Sequence, residues 1–198
     1  MEPLQVEYFG HSCFRLTWAG QRIVLDPYAD GSVPGCPPLR LEAEFVFCSH
    51  GHGDHNAAQC VQLAPDAAPK FTVTELETFH DDAGGTLRGR NTVRVFDFGG
   101  LRAAHFGDLG CPLTAAETER LRGLDCAMLP VGGYYTIDAA AAGAIAAALR
   151  PRLLLPMHYR TETTGYPVLA PLGEALAALR AAGAEARPMA YGESITIR

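Results

Sequence analysis

The chain has 198 residues, a formal charge of −6, an apolar share of 48% and a charged share of 19%. That lies far from the low-hydrophobicity, high-charge regime of disordered chains, and the length fits one globular domain, residues 1–198, with a core that needs no disulfide or metal staples. The acidic balance, with no run of Lys or Arg, disfavours a nucleic-acid backbone as partner, and any metal would be present for chemistry.

Residues 4–9, 13–18 and 22–25 alternate apolar and polar side chains between short Gly-containing breaks, which predicts an antiparallel meander. A Gly- and Pro-rich loop follows over 26–39. Residues 44–48 form a short apolar run that predicts a buried strand, and it ends directly in a histidine-rich segment. Residues 56–64 have helical character. A strand is predicted over 71–79, and a hairpin over 92–98 and 101–106 around Gly99-Gly100. Thr114, with Glu117 three residues on, has the spacing of a capping box for a helix over 114–122. A strand at 125–131, an Ala-rich helix at 138–149, a strand at 153–157, a helix at 171–182 stopped by Gly183 and a strand at 194–197 complete the reading. Meander strands together with strand–helix units indicate an α/β fold of two sheets with helices outside.

No stretch reaches 18 consecutive apolar residues, and the start, MEPLQVEYFGHSCF, has neither a basic n-region nor an apolar h-region. Cys13, Cys36, Cys48, Cys60, Cys111 and Cys126 form no C-x-x-C pair, which argues for buried reduced thiols and against a zinc ribbon or disulfide scaffold. The expectation is a cytoplasmic protein with no membrane partner.

The segment from His50 to His55 reads H-x-H-x-D-H. In extended chain, residues two apart share a side, so His50, His52 and Asp54 converge while His55 swings round. Four donors within six residues can serve two metals rather than crowd one. His80, Asp108 and His158 each stand where a predicted strand runs out into a loop, the usual place for further donors. His105 is also available.

Taken with Tyr8-Phe9-Gly10-His11-Ser12, Leu25-Asp26-Pro27, Thr78-Phe79-His80, His105-Phe106-Gly107-Asp108, Leu129-Pro130-Val131-Gly132-Gly133 and Leu155-Pro156-Met157-His158-Tyr159, this segment resembles the metallo-β-lactamase-fold superfamily of metal-dependent hydrolases. Within that superfamily the likeness is to small bacterial proteins similar to ascorbate-6-phosphate lactonase. The resemblance implies a four-layer αββα sandwich of two mixed sheets covered by outer helices. By motif, His50, His52 and His80 would hold one metal, Asp54, His55 and His158 a second, and Asp108 would bridge them. In the similar proteins the histidine of H-x-G-D stays off the metal, which favours His80 over His105. Asp26 resembles the carboxylate that fixes the tautomer of a ligand imidazole. His11 and His105 are expected beside the ligands. Tyr135 and Tyr159 follow motif positions at the pocket mouth as candidate donors to an oxyanion or leaving group, with packing as the competing reading, and Arg160 is a candidate anion anchor.

The implied activity is metal-dependent hydrolysis of a lactone, ester or phosphoester in a small molecule, by a hydroxide shared between two divalent ions, with Asp54, Asp108 and His158 essential. Imidazole-rich ligation suits zinc first, and mixed N and O donors also admit manganese, iron or nickel. The alternatives are a phosphodiesterase or nuclease, which lacks support in spare length or a basic stripe, and a non-catalytic metal-binding protein. An oxygen-reducing di-iron protein is disfavoured because His52 stands where such proteins carry Glu. Specificity is assigned to the loops 26–39, 81–90, 132–136 and 159–166, and a homo-oligomer is compatible with the sequence.

Overall fold

The computed structural model describes residues 2–64 and 67–198. In chain order its first strands are β1 (Leu4–Tyr8), β2 (Phe14–Trp18), β3 (Gln21–Leu25), β4 (Leu41–Ala43), β5 (Phe45–Phe47) and β6 (Val61–Leu63). They are followed by β7 (Thr72–Phe79), β8 (Arg90–Asp97), β9 (Arg102–His105), α1 (Ala115–Arg120), β10 (Cys126–Pro130), α2 (Ala139–Leu149), β11 (Leu153–Met157), α3 (Leu172–Ala181) and β12 (Ser194–Ile197).

The first sheet has the order β12-β1-β2-β3-β5 and the second β11-β10-β9-β8-β7. Both are mixed. The predicted meander is antiparallel and consecutive, with β12 closing one edge, and β5 adds in parallel at the other. In the second sheet β7, β8 and β9 run antiparallel, whereas β9, β10 and β11 are parallel. Parallel neighbours need crossovers, and α1 and α2 supply them.

Side chains alternate faces along a strand, and the core follows that rule. Phe96, Ala103, Met128 and Leu155 of the second sheet meet Leu4, Val6, Phe14, Leu16 and Ile23 of the first in the layer between the sheets. Their neighbours Val95, Ala104, Leu129 and Leu154 face the other way, onto Ala142, Ile145, Ala146 and Leu149 of α2 and Leu179 of α3. The Ala-rich composition of α2 has a packing reason: a Cβ on Gly143 would lie 3.3 Å from the Ala178 carbonyl of α3. Thr114 and Glu117 form the predicted capping box, Asp138 caps α2, and Gly183 at φ +78° follows α3.

The outer face of the first sheet is covered by the loop 26–39 and the parallel pair β4–β6, through Tyr28, Val33, Leu39, Leu41 and Val61 against Cys13 and Val24. Here the sequence reading needs two corrections. The helix expected over 56–64 is a 3₁₀ turn at Ala58–Cys60 followed by β6, because Val61 is extended and Val61 to Leu63 pair with β4. The strand expected at 44–48 is only three residues long and half-buried, since it is an edge strand with a single neighbour, β3.

Polar contacts cross from one sheet to the other, four of them at one end. Thr92 N–H donates to the Ser49 carbonyl (3.0 Å) and His158 N–H to that of His11 (2.9 Å). Arg94 Nη1 donates to the Cys48 carbonyl (2.7 Å) and His105 Nε2 to that of Ser12 (2.9 Å). These four involve residues at or just beyond the ends of β1 and β5; at the opposite end Lys70 N–H donates to Gln21 Oε1 (2.9 Å) and Arg152 Nη2 to the Arg198 carbonyl (2.9 Å).

Candidate metal centre

The candidate residues occupy the carboxyl ends of strands from both sheets. Asp26 follows β3, Ser49 to His55 follow β5, His80 follows β7 and His158 follows β11, while His11 and Asp108 lie three residues beyond β1 and β9. Residues 49–55 are bends and turns rather than extended chain, with His55 N–H donating to the His52 carbonyl at 3.0 Å. The expected convergence of His50, His52 and Asp54 is corrected accordingly. Donor atoms of His50, His52 and His80 lie within 4.8 Å of one another, and those of Asp54 group instead with His55, His158 and His11.

Asp26 organises this loop. Its Oδ1 accepts from Ser49 N–H (2.7 Å), and its Oδ2 accepts from Ser49 Oγ and from His55 Nδ1 (2.8 Å). With Ser49 Oγ donating to Asp26, that oxygen is left to accept from His50 Nδ1 at 2.9 Å. One buried carboxylate therefore fixes the tautomer of two imidazoles, and both turn Nε2 inward. Burial alone would raise the pKa of Asp26, but His105 and His55 beside it bring it below the ordinary value.

Asp108 is placed by Asn91, which lies 17 residues earlier. Asn91 Oδ1 accepts from Asp108 N–H (2.9 Å), while its Nδ2 donates to Thr78 Oγ1 and to the Phe106 carbonyl, each at 2.9 Å. Gly107 makes this approach possible, because at φ +54° a Cβ would fall 2.3 Å from Asn91 Oδ1 and 2.4 Å from Ser49 Cβ. Asp108 Oδ2 then stands 3.2 Å from His55 Nε2, 3.3 Å from His80 Nε2, 3.2 Å from His158 Nε2 and 3.9 Å from His50 Nε2. Burial opposes its ionisation, yet His158 and His55 hold its pKa well below the carboxylate range. The pKa of His55 is raised, since Asp108 and Asp26 outweigh the cost of burial. His11 and His50 are lowered to about 4 and about 3, in both cases first by burial.

Buried polar atoms normally have partners. Here His50 Nε2, His55 Nε2, His80 Nδ1, both nitrogens of His158 and Asp108 Oδ1 are buried with no hydrogen-bond partner among the described residues. Such a concentration of imidazole and carboxylate donors in one place is the chemistry that divalent cations satisfy.

His105 lies outside this cluster. Its Nε2 donates to Ser12 and its Nδ1 accepts from Gly107 N–H at 3.2 Å, so both ring nitrogens are engaged. His11 touches it: Nε2 is 3.2 Å from Asp54 Oδ2, and the ring lies 4.1 Å from that of His158. Tyr159 is corrected from a mouth residue to a buried one, 7% exposed, packed into the core cluster. Arg160 donates Nε to the Leu169 carbonyl. Tyr135 is half-buried, with the Arg88 guanidinium 5.6 Å from its ring centre, and it lines a cavity of about 620 Å³ between the loop 81–88 and α2. That cavity abuts the centre through Asp81 and Gly110, and none of the cluster residues lines it. Asp81 next to His80 accepts four backbone N–H groups, from Ala83, Gly85, Leu87 and Arg88, which fixes this loop.

Three residues of the site carry no signal in the sequence reading: Ser49, Asn91 and Tyr166. Tyr166 OH donates to the Ser32 carbonyl at 2.7 Å and lies 3.3 Å from Asp54 Oδ2.

The described β-lactamase superfamily domain matches residues 5–158 of the chain. Among curated proteins, the UPF0173 metal-dependent hydrolase of Thermoplasma acidophilum is 28% identical over 193 residues, with 81% of this chain and 85% of that one covered. That of Deinococcus radiodurans is 30% identical over 210 residues, covering 84% and 89%. Among solved structures, a Thermotoga maritima protein assigned as a Zn-dependent hydrolase of the metallo-β-lactamase superfamily superposes with a TM-score of 0.69 at 32% identity, covering 88% and 84%. Igni18, a metallo hydrolase from Ignicoccus hospitalis, gives a TM-score of 0.75 at 23% identity over 99% of both chains.

Proposed function

The chain belongs to the metallo-β-lactamase superfamily of metal-dependent hydrolases, and from that premise we propose that it cleaves an ester-like bond of a small molecule at a centre of two divalent ions. One observation carries the two-ion reading. Asp108 Oδ2 lies within 3.3 Å of imidazoles drawn from both donor groups, His80 from one and His55 and His158 from the other. A carboxylate so placed suits a bridge. His50, His52 and His80 would hold the first ion and Asp54, His55 and His158 the second, with Asp108 shared. The donor set is rich in imidazole, which suits zinc, and manganese, iron and nickel also accept its N and O mixture.

Two divalent ions would lower the pKa of bound water towards neutrality and polarise the oxygen of the bond under attack. The chain supplies orientation. Asp26 and Ser49 hold the Nδ1 protons of His55 and His50, so neither ring turns. Asn91 fixes the backbone of Asp108. The centre has an open side, because His52 is exposed and a Cβ on Gly51 or Gly53 would meet nothing within 4 Å. Tyr135 and Arg88 line the cavity along α2, and the Tyr135 ring lies 5.8 Å from that of Tyr166 beside Asp54, so that this cavity can take the part of a substrate away from the reacting bond. Six free thiols accord with a reducing, cytoplasmic setting, and among the described residues no helix is long and apolar enough to cross a membrane. The chain is read as one hydrolase domain over 1–198.

The test is a screen of lactones, esters, thioesters and phosphodiesters with the metal-loaded protein, repeated with Asp108→Asn and His158→Ala. Both variants are expected to remain folded and to lose at least about 100-fold in kcat/KM, in line with losing about 3 kcal/mol of transition-state stabilisation. Hydrolysis retained in either folded variant would overturn the proposal.

A further inference from the structure

Asp54 stands apart from the other prospective ligands of its loop, because the Asp26 network that holds Ser49, His50 and His55 does not reach it. Gly51 and Gly53, just before it in the chain, face open space. Something else must fix the carboxylate, and two groups remote in sequence do. His11 Nε2 approaches Oδ2 at 3.2 Å, and Tyr166 OH approaches the same oxygen at 3.3 Å. The phenol has one proton, shared between two acceptors, the Ser32 carbonyl at 2.7 Å and Asp54 Oδ2 at 3.3 Å, and its ring lies edge-on to His11 (5.7 Å) and Tyr135 (5.8 Å).

The segment around Ser32 is docked from both sides. Ala29 N–H donates to the Gly53 carbonyl at 2.9 Å, next to Asp54, and Gly165 N–H donates to the Pro34 carbonyl at 2.9 Å, next to Tyr166. The approach is so close that a Cβ on Gly35 would fall 1.8 Å from the Thr163 carbonyl oxygen. Residues 29–35, 163–166 and 53–54 thus meet around one hydroxyl group.

We infer that Tyr166 is a positioning residue for the Asp54 side of the metal centre, and that its hydroxyl ties the loop 29–35 to that side. This rests on the two-ion reading for which ion is affected, but not for whether the hydroxyl matters. The phenol acts through Asp54 rather than on substrate. When the hydroxyl is removed, Asp54 keeps His11 Nε2 at 3.2 Å and the more distant His55 Nε2 at 3.6 Å, and the loop keeps its backbone bonds. Outer contacts of this kind are worth about 10–100-fold in metal affinity.

The experiment titrates the metal-free full-length protein with Zn²⁺ against a chromophoric chelator and with Co²⁺ by visible absorption, for wild type, Tyr166→Phe and Tyr166→Ala. Amide exchange of residues 29–32 is followed alongside. Tyr166→Phe is expected to weaken one of two Zn²⁺ sites about 10–100-fold, to alter the Co²⁺ spectrum, and to speed exchange of Ala29 and Ser32, with the other site unchanged. Wild-type affinities and exchange in Tyr166→Phe would overturn the inference. So would loss confined to Tyr166→Ala, which would make the residue a packing group. A wild-type stoichiometry of one Zn²⁺ would sink the two-ion reading instead, and the affinity for that single ion in Tyr166→Phe would still decide the role of the hydroxyl.

Discussion

His55 Nδ1 donates to Asp26 Oδ2 at 2.8 Å, and both side chains are at most 1% exposed. The bond joins β3 to the turn after β5 and aims His55 at Asp108. Asp26→Ala would leave three donors without an acceptor: Ser49 N–H, Ser49 Oγ and His55 Nδ1. Removing one partner of a buried charged network costs about 3–5 kcal/mol, and a lost second partner of a ligand imidazole costs about 10–100-fold in metal affinity. Denaturation midpoints of the metal-free protein and chelator competition should show both losses, with Asp26→Asn milder because it keeps one acceptor oxygen.

His80 and His105 separate cleanly in an elemental analysis. His80→Ala is expected to lose one metal per chain, because its ring joins His50 and His52. His105→Ala is expected to keep the full count and to lose stability instead, since both its nitrogens are occupied by backbone groups. The reverse pattern would exchange their roles.

Asn91 has no donor atom left for a metal, yet Asn91→Ala should reduce metal occupancy. The substitution strips the Asp108 N–H and the Phe106 carbonyl of their side-chain partner, while Thr78 keeps its bond to the backbone carbonyl of residue 91. Each unsatisfied buried group costs about 1–3 kcal/mol, so a lowered unfolding midpoint should accompany weaker metal binding. A midpoint within error of wild type would contradict this account.

The metal-free protein should lose stability on acidification below about pH 6.5, the ordinary histidine value. Burial lowers His11 to about 4 and His50 to about 3, and it lowers His80 and His105 as well. Between those values and 6.5 the unfolded chain binds more protons than the folded one, so stability falls as pH falls, by about 1.4 kcal/mol per pH unit for each proton. His55 works the other way: its raised pKa adds stability that is complete below the ordinary value and is lost as pH rises through the folded one. Four lowered imidazoles outweigh one raised. Urea midpoints of chelated protein at pH 7.5 and pH 5.0 should differ, with the lower at pH 5.0.

Much of the fold is written locally. Alternation places β1 to β3 and the β8–β9 hairpin, and the Thr114–Glu117 pair and Asp138 mark where α1 and α2 start. β4 and β6 are not legible, because three-residue strands are too short for a period to show and they are specified by pairing with each other. In the site, H-x-H-x-D-H is visible because its donors are adjacent in sequence, and His80, Asp108 and His158 because each follows a strand. Ser49, Asn91 and Tyr166 act on partners brought to them by the sheets. Asn91 reaches Asp108 across 17 residues and Tyr166 reaches Asp54 across 112. Neither contact leaves a local pattern. Tyr159 illustrates the opposite error, since its place after His158 suggests the mouth while its side chain is buried in the core cluster.

The polar contacts that cross between the sheets carry a further implication. The layer that joins the sheets is apolar, and apolar attraction is non-directional. It brings two sheets face to face without choosing how far one slides along the other. Hydrogen bonds have direction and length, and those from Thr92, Arg94, His105 and His158 to the chain around Ser49, Ser12 and His11 all fall at the end that carries the donor cluster. The alignment of the two halves is therefore indexed where the chemistry resides, as it is at the far end by the bonds from Lys70 to Gln21 and from Arg152 to Arg198. Substitutions elsewhere in the sandwich can alter how firmly the halves adhere while leaving them aligned at this end, whereas a slip there would disperse the donors.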